Sequence, residues 1–289
     1  GTWAGTETAT ITINGKELVV TIGSLTTTAQ VATSIKQAFE GETLTDSTAS
    51  ATPSIANGGG TSIAEFTEIT ATVSGSVVTL TGDTAGKPFT LSSADGSTSG
   101  TLTDATPTAA TGPNHWDNAD NWDNGLPADG DDVVIDSGSV SILYGLAQGA
   151  ITLDSLTITN GYTGRIGLPD YNTDSTANTY REYRAKYLTL GNATDANPTT
   201  ISIGSGSGTG SGRIKIDSAD SQVTLNVLAT GNQESTAVPA VLWKGTHAST
   251  VLNAYRGTLG IGFFQGESAT VATLRIGQDT SGGGTAQVV

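Results

Sequence analysis

The densest group of chemically capable side chains lies between Gly112 and Asp136. It reads Gly112-Pro-Asn-His-Trp-Asp-Asn-Ala-Asp-Asn-Trp-Asp-Asn-Gly-Leu-Pro-Ala-Asp-Gly-Asp-Asp132, then reaches Asp136, with seven aspartates and neither Lys nor Arg. Carboxylates this crowded repel one another unless they are solvated, bonded to backbone amides or bridged by a hard cation. Asp117, Asp120, Asp123, Asp129 and Asp131 are therefore candidate calcium ligands, and calcium is the one cofactor the residues suggest. The spacing is not that of an EF-hand loop, which needs a central Gly and a terminal Glu. The competing reading makes the aspartates turn and cap residues, with Trp116 and Trp122 packing over the end of the fold that follows.

A second cluster, Tyr180-Arg-Glu-Tyr-Arg-Ala-Lys-Tyr187, is the one local basic and aromatic run. Arginine and tyrosine are enriched at interface centres, so Tyr180, Arg181, Tyr183, Arg184 and Tyr187 are candidate contacts to the acidic loop of a neighbouring subunit. An internal salt bridge to those same aspartates is the alternative. The two histidines, His115 and His247, form no Ser-His-Asp or His-x-x-x-His pattern and are read as structural. A glycosidase-like reading would bring Asp154, Asp217 and Glu182 together, but every acidic β protein offers such pairs. The run Gly204-Ser-Gly-Ser-Gly-Thr-Gly-Ser-Gly212 lacks the Gly-Lys-Ser/Thr ending and the helix of a phosphate loop, so it reads as a flexible turn. No catalytic set emerges, and the chain is read as a non-enzyme.

Composition narrows the field further. The 289 residues carry 12 Lys+Arg against 27 Asp+Glu, a net charge of −15, which argues against a nucleic-acid-binding role. Residues 1–111 hold 3 basic and 10 acidic groups and the remainder 9 and 17, so only the junction loop concentrates the charge. With no Cys, disulfides, thiolate zinc and thiol catalysis are ruled out. No run of about 18 apolar residues is present, so membrane insertion is not expected. Abundant Thr and Val favour strands while 38 Gly punctuate turns.

The elements that must position these groups fall into two regions. In residues 1–111, Ala9, Ile11 and Ile13 alternate with threonines, Asn14-Gly15 supplies a type I′ turn, and Leu18, Val20 and Ile22 alternate again. Thr27-Thr-Ala-Gln30 is a capping box that opens a helix carrying Val31, Ile35, Ala38 and Phe39, ended by Gly41. Residues 42–61 read as a surface loop. A second hairpin turns at Ser74-Gly75, another strand opens at Phe89 and Leu91, and 92–111 reads as a linker or peripheral strand, giving a small α+β module.

Residues 112–289 show short β-like runs and no helix. Ile151-Thr-Leu-Asp-Ser-Leu-Thr-Ile158, Val223-Thr-Leu-Asn-Val-Leu228 and Val271-Ala-Thr-Leu-Arg-Ile276 read as one kind of layer written three times. The chain is thus expected to be mainly β, with a parallel β-helix over 112–289 and a β-sandwich as the alternative. The absence of Met and a strand-like Gln287-Val-Val289 suggest that this region continues past 289.

The Trp116…Asn121-Trp122…Pro127…Asp129 spacing resembles a segment that opens β-helical, passenger-like regions of bacterial surface proteins. Asn114-His-Trp116, Ile142-Leu-Tyr-Gly-Leu146, Ile166-Gly-Leu-Pro169, Arg181-Glu-Tyr-Arg184 and Leu242-Trp-Lys-Gly-Thr-His247 are similar to stretches of large uncharacterised proteins from phage-like clusters. Thr10-Ile-Thr-Ile-Asn-Gly15 and Thr84-Ala-Gly-Lys-Pro-Phe89 resemble α+β modules of phage tail and virion proteins. The resemblance implies a structural virion component, such as a capsid decoration, tail or fibre protein, located in the virion or at an extracellular surface. Its partners would be its own copies, as a homo-oligomer and most simply a trimer, and other virion or surface proteins. A subunit of a bacterial surface layer, filament or adhesin is one alternative; a polysaccharide-binding or depolymerising β-helix, with a tryptophan-lined groove, is another.

Overall fold

A computed structural model describes residues 2–46, 48–52, 63–96, 99–172, 180–191, 197–205, 213–230, 238–277 and 286–289. The protein is mainly β and divides into two compact units, residues 1–110 with 171–181, and residues 111–170 with 182–289. Residues 171–181, expected in the second region, thus cluster with the first.

In the first unit β1 (Thr8–Ile13) and β2 (Lys16–Thr21) form an antiparallel hairpin. Asn14 and Gly15 have φ of 53° and 77°, the paired positive values that a type I′ turn requires. The helix α1 (Thr28–Phe39) opens with both halves of its capping box: Thr27 Oγ1 accepts from Gln30 N at 3.3 Å, and Gln30 Oε1 accepts from Thr27 N at 3.2 Å. Gly41 follows the helix with φ 70°. Val31, Ile35 and Phe39 belong to one core with Ile11, Ile13, Leu18, Val20 and Phe66.

Two expectations for this unit change. The stretch 42–61 contains β3 (Ser50–Thr52), which pairs with β2; Gly58-Gly59-Gly60 lies outside the described residues. The second hairpin, β4 (Ile69–Ser74) and β5 (Val77–Gly82), turns one residue later than expected, because Ser74 pairs with Val77 and Gly75-Ser76 occupy the corner. β6 (Leu91–Asp95) adds to β1, so the main sheet runs β3-β2-β1-β6, and residues 92–95 take the peripheral-strand option rather than the linker one. A short pair, β10 (Tyr171–Asn172) and β11 (Tyr180–Arg181), completes the unit. Glu68 fixes it: its carboxylate receives Asn172 Nδ2, the Tyr180 hydroxyl, and Lys87 Nζ at 2.8 Å.

The second unit contains β7 (Asp132–Ile135), β8 (Ala147–Gln148), β9 (Ser155–Thr159), β12 (Leu188–Leu190), β13 (Thr199–Ser205) and β14 (Ile214–Asp217). It continues with β15 (Val223–Val227), β16 (Val241–Lys244), β17 (Val251–Ala254), β18 (Gly257–Ile261), β19 (Thr273–Ile276) and β20 (Ala286–Val288). Successive strands alternate between two six-stranded sheets, β7-β9-β13-β15-β17-β19 and β8-β12-β14-β16-β18-β20. Every pairing between these strands is parallel, so an antiparallel sandwich does not describe the unit.

Parallel partners need a long connection, and here the connection is the intervening strand of the other sheet. Partners stand 23 residues apart at Asp132 and Ser155, 24 at Thr200 and Thr224, 27 at Thr224 and Val251, and 22 at Val251 and Thr273. Ser155 and Thr200 are 45 apart, and residues 171–181 of that interval cluster with the first unit. Side-chain alternation then stacks Val133, Leu156, Ile201, Leu225 and Leu252 in register as a buried column. The three similar runs seen in the sequence become β9, β15 and β19, all in one sheet.

This packing predicts unequal costs on one strand. Leu225→Ala, at a fully buried position, lowers unfolding stability by about 2–5 kcal/mol, whereas Thr224→Ala, half-buried and outward, changes it by about 0.5 kcal/mol or less. Urea titrations of the two variants measure the difference.

Candidate functional site

The junction loop is built around its two tryptophans. His115 forms a parallel bridge with Tyr144, and Trp116 N donates to Tyr144 O at 3.0 Å, which lays this segment beside the strands. Trp116 is then buried in the core, with Trp122 edge-on at 4.7 Å and Trp122 Nε1 donating to Trp116 O at 2.8 Å.

The aspartates do not converge. Asp117, Asp120, Asp123, Asp129 and Asp131 are all exposed, and among the described residues no three His, Cys, Asp or Glu side chains stand together as a metal site. Asp129 Oδ1 accepts from Thr152 N and Asp131 Oδ2 from Ala128 N, each at 2.8 Å, while Asp117 Oδ1 faces His115 Nδ1 at 3.3 Å. Asn118, rather than an aspartate, caps the short 3₁₀ turn Ala119–Asn121. Asp129 and Asp131 are thus bonded to backbone N–H groups on an exposed loop, an arrangement that relieves carboxylate repulsion without a bridging cation. Beside β7 the loop borders an open groove of about 710 Å³, lined by Trp122, His115, the stretch Asp131–Ser137 and Asn121–Gly125.

The basic and aromatic run is divided between the units. Tyr180 and Arg181 form β11 in the first, with Tyr180 buried on Glu68 and Arg181 exposed. Tyr183, Arg184 and Tyr187 belong to the second. Arg184 Nε meets Glu182 Oε1 at 2.8 Å and its guanidinium lies 4.5 Å from the centre of the Tyr183 ring, so its ion-pair partner is two residues away rather than in the junction loop. Tyr187 is 4% exposed and donates to Glu267 Oε2 at 3.1 Å. Burial, reinforced by the charges of Glu267, Asp217 and Asp170, raises its hydroxyl pKa far above the ordinary range.

Around Tyr187 stands a group of lysines, of which the sequence singled out Lys186 alone, as part of the basic run. Lys215 is 1% exposed on β14; its Nζ donates to Leu168 O and lies 5.0 Å from the Phe264 ring centre and 5.4 Å from that of Tyr187. Lys244 Nζ lies 4.8 Å from the Tyr187 ring centre and 3.2 Å from Asp217 Oδ2, and Lys186 pairs with Asp170. Burial, helped by the charges of Arg213 and Lys186 and opposed by Asp170 and Glu267, brings the Lys215 pKa down to about 7. In Ile214-Lys-Ile216 the alternation marks Lys215 as outward, which normally means solvent; here Tyr187 and Phe264 cover it.

The other sequence candidates stay separate. Glu182 is taken by Arg184 and Asp217 by Lys244, while Asp154 is exposed. His247 Nδ1 accepts from Ser249 N at 3.2 Å in a turn. Residues 206–212 of the glycine run lie outside the described residues. Trp3, Trp116 and Trp243 are buried and Trp122 is half-buried against Trp116, so the tryptophans expected to line a sugar groove are mostly taken up in packing. Among the described residues no helix is long and apolar enough to cross a membrane. Comparison with protein-family models, curated proteins and solved structures finds no match to the chain.

Two outcomes follow. Saturating calcium and excess chelator give the same melting temperature by calorimetry, since the junction aspartates are not assembled as ligands. Lys215 releases its proton near pH 7 when folded but near 10.5 when unfolded, so between these values the unfolded chain binds more protons and stability rises with pH. Above pH 10 the slope reverses, because Tyr187 ionises first in the unfolded chain. Lys215→Met, which keeps the apolar stem and removes the charge, stabilises the protein at pH 7 and below by on the order of a few kcal/mol and flattens the rise, as read by urea titration across pH.

Proposed function

We propose that this chain is a non-enzymatic structural subunit of an extracellular assembly, a phage virion component such as a capsid decoration, tail or fibre protein, and that its second unit is a parallel β-helix. The observation that carries the reading is the pair of six-stranded parallel sheets whose strands alternate along the chain. Stacked layers of this kind make a stiff body whose length grows with layer number, which suits a spacer, spike or coat element. Its chemically capable side chains act on the fold itself: Asp129 and Asp131 on loop amides, Glu68 on the 171–181 excursion, Lys244 and Lys186 on neighbouring carboxylates. The virion assignment rests on the resemblance of the segments around Asn114, Ile142, Ile166, Arg181 and Leu242, and self-association is part of it.

Mass spectrometry of purified particles, joined to electron microscopy with a labelled antibody against the chain, tests the assignment. The expected result is many copies per particle at regular positions. Label confined to bacterial surface fractions, with none on particles, overturns the virion reading in favour of a surface-layer or adhesin subunit.

A further inference from the structure

We propose that Lys87 and Asn172 join through a self-formed isopeptide bond, with Glu68 moving the protons, so that the β10–β11 pair is tied covalently to the turn that follows β5. All the residues involved belong to the first unit, and the inference stands or falls apart from the virion reading.

Three segments bring four side chains to one point. Glu68 ends the 3₁₀ turn Ala64–Glu68, and its carbonyl accepts from Asp83 N at 2.9 Å, which sets the turn 83–87 beside it. Lys87 N closes that turn on Thr84 O at 3.1 Å, with Gly86 at φ 76°. From a distant part of the sequence, Asn172 and Tyr180 stand directly opposite each other across the β10–β11 pair, so their side chains share one face. All converge on a single oxygen, Glu68 Oε1: Lys87 Nζ lies 2.8 Å from it, Asn172 Nδ2 donates to it at 2.5 Å, and the Tyr180 hydroxyl donates to it as well. The same hydroxyl accepts from Asn172 Nδ2 at 3.0 Å. Asn172 and Tyr180 are buried, and the Lys87 and Glu68 side chains are 7% and 10% exposed.

An ion pair needs only Glu68 and Lys87. The carboxamide and the phenol add what a condensation needs, an electrophilic carbon and a hydrogen-bonding partner for the nitrogen that must leave. Because both nitrogens bond one oxygen, the amine and the carboxamide are neighbours. Away from water a charged pair loses its hydration, so the Lys87 ammonium can pass a proton to the Glu68 carboxylate along their hydrogen bond and become a neutral amine. The amine lone pair attacks Asn172 Cγ and forms the Nζ–Cγ bond. Glu68 delivers a proton to Nδ2 and takes the surplus one from Nζ, while the Cγ–Nδ2 bond breaks and its electron pair leaves with ammonia. Ammonia carries off the last proton as ammonium, and Glu68 is again a carboxylate. Nothing is oxidised or reduced, and no co-reactant is consumed. Amides are poor electrophiles in free solution, but fixing the partners in place is worth an effective concentration on the order of 10⁵ M or more.

Intact-mass spectrometry of the full chain reads the bond directly. The expected mass is about 17 Da below that of the sequence, the ammonia lost, and a digest is expected to yield a branched peptide holding both Lys87 and Asn172. Glu68→Gln, which keeps the shape of the side chain but cannot shuttle the proton, is expected to show the full mass with an unchanged circular dichroism spectrum, and Asn172→Ala is expected to show the full mass too. An asparagine before glycine, as in Asn14-Gly15, can lose the same ammonia by ring closure, but hydroxylamine opens that ring and Asn172→Ala does not prevent it. A wild-type chain that keeps its full mass after prolonged incubation overturns the proposal. So does a deficit that persists in Asn172→Ala or disappears with hydroxylamine. Either result leaves the virion reading as it was, just as absence of the chain from particles leaves the bond.

Discussion

Everything in the second unit depends on parallel pairing between strands whose partners stand 18 or more residues apart. A parallel partner cannot be reached by a tight turn, so the chain must travel before it returns. Using a strand of the opposite sheet as the path back lets two sheets grow together, each burying the other's inward face. Inward positions must then be apolar at every layer, because one polar residue would interrupt a column shared by all. Leu156, Ile201, Leu225 and Leu252 meet that demand at 0% exposure. The outward positions are freed from it, and there Thr157, Ser202, Asn226 and Asn253 align, with Asn253 Nδ2 donating to Asn226 Oδ1 at 2.8 Å.

The same constraint explains where a long insertion is tolerated. The connection from β9 to β13 includes residues 171–181, yet Leu156 still faces Ile201, and the pairing shifts only between Ile203 and Ser205. Loop-closure entropy grows only slowly with length, so an excursion costs little if its own polar groups find partners. Glu68 provides them, and its bonds to Asn172 and Tyr180 close sequence separations of 104 and 112 residues.

What the sequence disclosed was local. Asn14-Gly15 and Thr27…Gln30 are read correctly because a turn and a cap are decided by residues a few positions apart. β3 is missed because three small residues in a Thr, Ser and Ala stretch carry no period; they become a strand only because β2 offers an edge. The aspartates of the junction loop are conspicuous by count, yet count says nothing of whether carboxylates point together, and they do not. Lys215 is the reverse case: a lysine alternating with isoleucines looks ordinary, and its burial is set by Tyr187 and Phe264 from distant segments. The Tyr180–Tyr187 run hid a boundary, since no local signal tells that the chain passes from one unit to the other after Arg181.

The excess of acid has a consequence for assembly rather than for folding. Inside the fold, carboxylates are matched: Glu182 with Arg184, Asp170 with Lys186, Asp217 with Lys244, Glu68 with Lys87. The unmatched charge, which leaves −15 overall, lies largely on exposed loops such as the junction segment. Two copies therefore repel at long range, and salt that shortens the Debye length to about 8 Å weakens that repulsion. Any contact between bodies of this charge would have to draw its strength from short-range apolar covering and from opposite charges placed locally. On β19 the alternation that elsewhere builds the core puts Leu274 and Ile276 on one face and Arg275 on the other.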